Sequence, residues 1–175
     1  MAIRDILTVP DPALKQKSAP VTEVDDALRA LMTDMLETMY AAPGIGLAAP
    51  QIGELKRIIV LDIDREEVKT GPLLMANPEV IEASDEDVSY EEGCLSVPGL
   101  RGVVPRFVKL RYRGVDMDGN RIERTADGFH ARVVQHEVDH LNGLLFIDRM
   151  STAAKVALRS RLKRMQRETV GALKG

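Results

Sequence analysis

Residues 135–140 read Gln-His-Glu-Val-Asp-His, and how this stretch must sit decides the fold. Val133, Val134, Val138 and Leu141 surround it, Asp127-Gly128 precede it and Gly143 follows. Those limits predict a buried helix from about 127 to 142. Histidines four apart are about 40° apart around a helix of about 3.6 residues per turn, so His136 and His140 reach one ion. Glu137 is offset by one position, outside bonding range of that ion but close enough to take a proton from its water. Burying two imidazoles and a carboxylate without partners would be costly, and a metal ion removes that cost. The chain has three histidines, and two of them stand here.

Such a centre needs a third ligand. The longer pattern HExxHxxGxxH would supply another histidine, and Gly143 is in place, but the last position is Phe146, which has no donor. Asp148 and Glu168 are downstream carboxylate candidates. The remaining soft donor is Cys94, in Glu91-Glu92-Gly93-Cys94-Leu95-Ser96-Val97-Pro98. A lone cysteine is more often a small buried apolar residue, yet Gly93 and Pro98 mark a shaped loop. A thiolate with two imidazoles would leave the fourth tetrahedral position open, as catalytic sites do. A further segment, Gly44-Ile45-Gly46-Leu47-Ala48-Ala49-Pro50-Gln51, reads by itself as a tight packing loop. It is no dinucleotide fingerprint, since Ala49 replaces the last glycine and no strand precedes it. Its glycines allow close backbone approach to a ligand, and Gln51 offers an amide donor.

Composition sets the frame. The chain has 175 residues, 45% hydrophobic and 29% charged, which suits one globular domain over 1–175 with its own core. A single cysteine excludes a disulfide framework and points to a reducing compartment. A net charge of −3 argues against a general DNA or polyanion binder. No apolar run nears the roughly 20 residues of a membrane span. The start, MAIRDILTVPDPALKQ, has neither the apolar core of a signal peptide nor the acid-free character of a transit peptide. These readings lead to a cytoplasmic expectation.

Two more helices are predicted, over 23–41 with Thr22 as N-cap and Pro43-Gly44 as the stop, and over 151–170 with Ser151 as N-cap. Leu158, Leu162, Met165 and Thr169 would lie along one face of the latter. Between the first two helices, Arg57–Ile63, Leu73–Ile81, Phe107–Val115 and Arg121–Thr125 read as strands. Asn77-Pro78 places the second of these at an edge or a bulge, and Asp118-Gly119 offers a hairpin turn. Strands grouped between helices suggest an α+β fold of antiparallel sheets. An acidic stretch (Glu79, Glu82, Asp85, Glu86, Asp87, Glu91, Glu92) and a basic one (Arg149, Lys155, Arg159, Arg161, Lys163, Arg164, Arg167) read first as solvated surface.

The blocks GIGLAAPQ, EGCLS and QHEVDH stand in that order, and together they resemble the signature of the peptide deformylase family (GΦGΦAAxQ, EGCΦS, QHExxH, with Φ apolar). The likeness runs from IRDILTVPDPAL to the helix after Gly143. It implies an α+β fold whose antiparallel sheets surround the central histidine-bearing helix. It also implies removal of the formyl group from the N-terminal formylmethionine of new polypeptides, releasing formate. The implied ion is Fe2+; by ligand chemistry Zn2+, Ni2+ or Co2+ would also bind.

Carried over by position, Cys94, His136 and His140 would hold the metal, and Glu137 would be the acid/base. Gln51 and the backbone N–H of Leu95 would form the oxyanion site. The backbone of Ile45 and Gly46 would pair with the peptide, and Phe129 and Val133 would line the methionine pocket. Arg132 stands where many members carry an aliphatic residue. Its stem is expected beside the pocket with the guanidinium reaching solvent or an acid such as Glu92; otherwise the pocket is altered. His130 reads as a surface or structural residue. In bacterial relatives a C-terminal helix contacts the ribosome near the peptide exit, so the basic helix at 151–170 is expected to do likewise. The runner-up reading is a metallopeptidase acting on internal bonds.

Overall fold

The computed structural model describes residues 2–63 and 71–174, apart from the side chains of Met165 and 169–174. Three α-helices occur among them: α1 (Asp26–Ala41), α2 (Gly128–Leu141) and α3 (Thr152–Lys174). The strands are β1 (Gly46–Ala48), β2 (Ile58–Leu61), β3 (Leu73–Ala83), β4 (Asp87–Cys94), β5 (Val97–Phe107), β6 (Lys109–Val115) and β7 (Arg121–Asp127). They form an antiparallel five-stranded sheet in the order β1-β2-β3-β6-β7 and a separate two-stranded ribbon, β4-β5. The α+β expectation holds.

The sheet is covered on both faces, which explains its apolar strands. Along β2, Ile59 and Leu61 pack with Val134 and Leu141 of α2, while Ile58 and Val60 pack with Met32, Met35 and Met39 of α1. Alternation therefore buries all four residues, and the strand reads as a continuous apolar run. A third cluster lies beneath the ribbon, where Val97, Leu100 and Val104 meet Leu14, Leu145, Phe146 and Met150. Leu158 and Leu162 of α3 close over it. Met165 and Thr169, expected on the same face, lie outside the described side chains.

Several boundaries differ from the sequence reading. Helix α1 starts at Asp26, and its cap is Asp25, whose carboxylate accepts the Leu28 N–H at 2.9 Å, instead of Thr22. β3 is the central strand, not an edge. It tolerates Pro78 because the β3–β6 register slips between Ala76 and Glu79, with Asn77 at φ 51°. The bulge half of that expectation is what the chain adopts. The segment 107–115 is two strands in different sheets, broken at Val108; in the second, Leu110 and Tyr112 point inward and alternate with exposed Lys109, Arg111 and Arg113. The acidic stretch is not simply solvated surface, since Glu92 is buried and Glu79, Glu82 and Glu91 pair with Arg113, Arg111 and Arg101.

Gly143 ends α2 in the left-handed conformation, φ 76°, and a Cβ there would come within 2.5 Å of the Lys15 carbonyl oxygen. Backbone strain and backbone collision act together. Gly143→Ala is expected to lose about 1–3 kcal/mol of stability, read as a lower urea midpoint; a wild-type midpoint would contradict this packing.

Candidate metal centre and cleft

Helix α2 carries two stripes. Ala131, Val134, Val138 and Leu141 face the five-stranded sheet. Arg132, Gln135, His136 and Asp139 follow the spacing i, i+3, i+4, i+7 on another face, and every one of them bonds to the ribbon. The Gln135 amide accepts from the Phe107 N–H at 2.9 Å and donates to the Phe107 carbonyl at 3.0 Å. Arg106 of β5 donates to Asp139 at 2.6 Å. The His136 Nδ1 lies 2.9 Å from Glu92 Oε1 of β4. The helix is thus held to the sheet by apolar packing and to the ribbon by charge and hydrogen bonds.

The ribbon delivers the thiol. Cys94 ends β4 beside the turn into β5, and its sulfur joins His136 and His140 in a cluster whose donor atoms all lie within 4.8 Å of one another. The Cys94 Sγ is 3.4 Å from His140 Nε2. Glu92 fixes the Nδ1 side of His136, which leaves Nε2 for an ion. Phe146, at the position that lacks a donor, stacks its ring 6.4 Å from that of His136. The carboxylate candidates sit elsewhere: Asp148 accepts from Lys15 and from the Leu145 N–H, and Glu168 is exposed on α3.

The other expected residues gather around a cleft of about 630 Å³ lined by Ile45, Gly46, Gln51, Leu95, Phe129, Val133, His136 and Glu137 among others. β1, read from sequence as a loop, is the edge strand of the sheet. Just before it, the Ile45 carbonyl accepts from the Asp62 N–H at 3.0 Å. Gly46 faces Glu137 so closely that a Cβ would meet Glu137 Oε1 at 2.6 Å. Gln51, in a 3₁₀ turn after β1, accepts the Ala48 N–H at 2.9 Å. That bond turns its Nε2 toward Ser96 Oγ at 3.1 Å and Cys94 Sγ at 3.6 Å.

Burial and close polar contacts shift the titration of the groups around the cluster. Burial alone would raise the Glu92 carboxyl, but hydrogen bonds and charge from His136 and Arg106 hold it down at about 2. Burial opposes a charge on His136, yet its bonds to Cys94 and Glu92 and the nearby Glu137 carboxylate lift it to about 10. His140 is driven well below the usual histidine value by burial and by the charges of His136 and Arg106, and so stays a neutral donor. Burial pushes the Glu137 carboxyl up to about 7. Its Oε2 is buried without a hydrogen-bond partner. A thiolate and two imidazoles so arranged fit a divalent ion.

Arg132 takes the inward alternative: its guanidinium bonds to Glu92. His130 is structural, with Nε2 at 2.8 Å from the hydroxyl of fully buried Tyr112. Sequence reasoning missed Arg106, Asp139 and Ser96. The polar stripe of α2 was a visible signal for Asp139, and Ser96 closes the EGCLS block; nothing local marked Arg106.

Two outcomes test this geometry. Glu92 has a folded pKa below its ordinary 4.5, so its stabilisation is complete above that value and is lost as pH falls toward about 2. The full shift corresponds to about 3 kcal/mol. Denaturant midpoints from pH 6 to 2.5 should fall less steeply in Glu92→Gln than in the wild type, whereas parallel curves would contradict the clamp. Gly46→Ala should keep the fold but displace Glu137, lowering kcat/KM at least about 100-fold if that carboxylate acts as the general base.

Comparison with known proteins agrees with this geometry. Residues 3–156 match the family model described as polypeptide deformylase. A peptide deformylase of Phenylobacterium zucineum is 57% identical over 151 residues, covering 86% of this chain and 89% of that protein. A crystal structure of a peptide deformylase from Legionella pneumophila superposes with TM-score 0.87 at 40% identity, covering 97% and 98% of the two chains. Another, from Ehrlichia chaffeensis in complex with actinonin, gives TM-score 0.86 at 39% identity, covering 95% and 99%. With the three sequence blocks converging on one cleft, this chain belongs to the polypeptide deformylase family.

Proposed function

We propose that this chain removes the formyl group from the N-terminal formylmethionine of new polypeptides, using Cys94, His136 and His140 as metal ligands and Glu137 as acid/base. The observation that carries this reading is the buried, unpartnered Glu137 Oε2 beside a three-donor cluster in a cleft bordered by an edge strand. An ion held by these donors supplies Lewis-acid activation of water and of the formyl oxygen near neutral pH. The proposed native ion is Fe2+, and the same donors accept Zn2+, Ni2+ or Co2+.

Glu137 takes the proton from the attacking water, and its raised pKa suits a group that must later give the proton back. Negative charge then develops on the formyl oxygen. Gln51 Nε2 and the Leu95 N–H donate to it, and one such donor is worth about 3 kcal/mol. Glu137 next passes its proton to the departing amine, so formate and a free N-terminus leave. The peptide lies against the outer edge of β1 as an added strand. Since the Ile45 carbonyl is committed to Asp62, the Ile45 N–H and the Gly46 backbone are the groups left for it. The methionine side chain lies against Phe129 and Val133.

Residues 1–175 act as one catalytic domain in the cytoplasm, where formylated chains emerge. No helix among the described residues is long and apolar enough to cross a membrane. α3 exposes Lys155, Arg159, Lys163, Arg164 and Arg167, a surface suited to ribosomal RNA near the exit site.

Glu137→Ala should retain stoichiometric metal and lose nearly all release of formate from a formyl-Met dipeptide, with no cleavage of an unformylated peptide by the wild type. Full activity in that variant would remove the base from the mechanism. Cys94→Ala should lose the metal by elemental analysis. Reversing the exposed charges Lys155, Arg159, Lys163, Arg164 and Arg167 to Glu should abolish co-sedimentation with ribosomes while leaving dipeptide turnover near wild type.

A further inference from the structure

We propose that Arg132 is a positioning residue that couples the metal centre to the width of the substrate cleft; where this concerns substrate, it rests on the function proposed above. Arg132 lies one helical turn before His136 on the same face of α2 and is 6% exposed. Its guanidinium spans three acceptors on the ribbon. Nη1 donates to Glu92 Oε2 and to the Val104 carbonyl at 2.9 Å, and Nη2 donates to the Val88 carbonyl at 2.7 Å. The Tyr90 ring lies 5.5 Å away. One side chain of the helix therefore binds both strands of the ribbon and the carboxylate that orients His136.

Among the described residues the ribbon has no ladder to the five-stranded sheet. Where β5 ends, the Val108 carbonyl accepts from the Gly128 N–H at the start of α2 at 3.0 Å; along the rest of the ribbon, side chains cross to α2. Of the ties from Arg132, Gln135, Arg106 and the His136–Glu92 pair, only Arg132 lines the cleft without being part of the metal centre or its immediate support. Its methylenes form cleft wall while its charged end holds the opposite side in place. Glu92 also accepts from Arg106 Nε and Nη2 at 2.9 and 3.0 Å. Removing the Arg132 guanidinium thus orphans no buried carboxylate. What is lost is the hold on Glu92 Oε2 and on strands β4 and β5.

Two variants separate these roles. Arg132→Met keeps the stem and removes every donor. Arg132→Lys restores one charged donor to Glu92 but cannot span Val88 and Val104 as well. The first measurement is loss of Co2+ from the loaded protein to excess EDTA, followed by the cobalt–thiolate absorption. Arg132→Met should lose Co2+ about 10-fold faster than wild type or more, and Arg132→Lys should recover most of the difference. The second is the ratio of kcat/KM for formyl-Met over formyl-Ala dipeptides. That ratio should fall several-fold in both variants, mainly through KM. A bulk structural role would lower the melting temperature without changing either readout.

Folded Arg132→Met with the wild-type rate of Co2+ loss, or with the wild-type substrate ratio, overturns the proposal. If Arg132→Met does not fold, the substrate ratio of Arg132→Lys decides, and an unchanged ratio overturns it. Wild-type protein that holds Co2+ but releases no formate would refute the proposed function, while the Co2+ comparison would still decide the metal-positioning role.

Discussion

The Glu92 carboxylate is where the two halves of the site meet, and its four hydrogen bonds set their relative position. Oε1 accepts from Arg106 Nη2 and faces His136 Nδ1; Oε2 accepts from Arg106 Nε and Arg132 Nη1. A buried carboxylate stripped of such partners would cost several kcal/mol, so the ribbon cannot shift against α2 without a large penalty. Desolvation offsets part of the attraction within such a buried cluster. The effect of the cluster here is on position: it brings Cys94 to the two histidines.

Stability and placement are carried by different faces of one helix. The apolar stripe through Val134 and Leu141 docks on β2 and its neighbours and supplies hydrophobic free energy without directional demand. The polar stripe through Arg132, Gln135, His136 and Asp139 supplies direction. Asp139 accepts from both Arg106 and Arg149, so one carboxylate ties β5, α2 and the segment leading to α3 together. Arg149, which reads in sequence as part of a basic tail, is thereby committed to the site's support.

Close approach completes the cleft. Gly46 has no side chain where Glu137 needs room, and β1 is left as a sheet edge next to that carboxylate. The Gln51 amide is oriented by the Ala48 N–H, so its donor side points to Ser96 and Cys94. The Gln51 amide acts by being held, with its orienting hydrogen bond to the Ala48 N–H already made.

The HExxH helix, its limits at Asp127 and Gly143, the inward side of β6 and the three signature blocks were legible because they rest on local periodicity, turn chemistry or motif. The two stripes on α2 were equally present in the chain, but only the apolar one has a meaning that does not depend on a partner. Tertiary structure alone decided that β3 is central despite Pro78, since the slip in register opposite β6 is a property of two strands. It alone decided that Glu92 is buried and that Arg132 turns toward it, because an acidic run looks solvated until two arginines 14 and 40 residues away close over one of its members. Periodicity and motif are encoded within one turn or one strand, whereas a charge's partners depend on how distant segments pack.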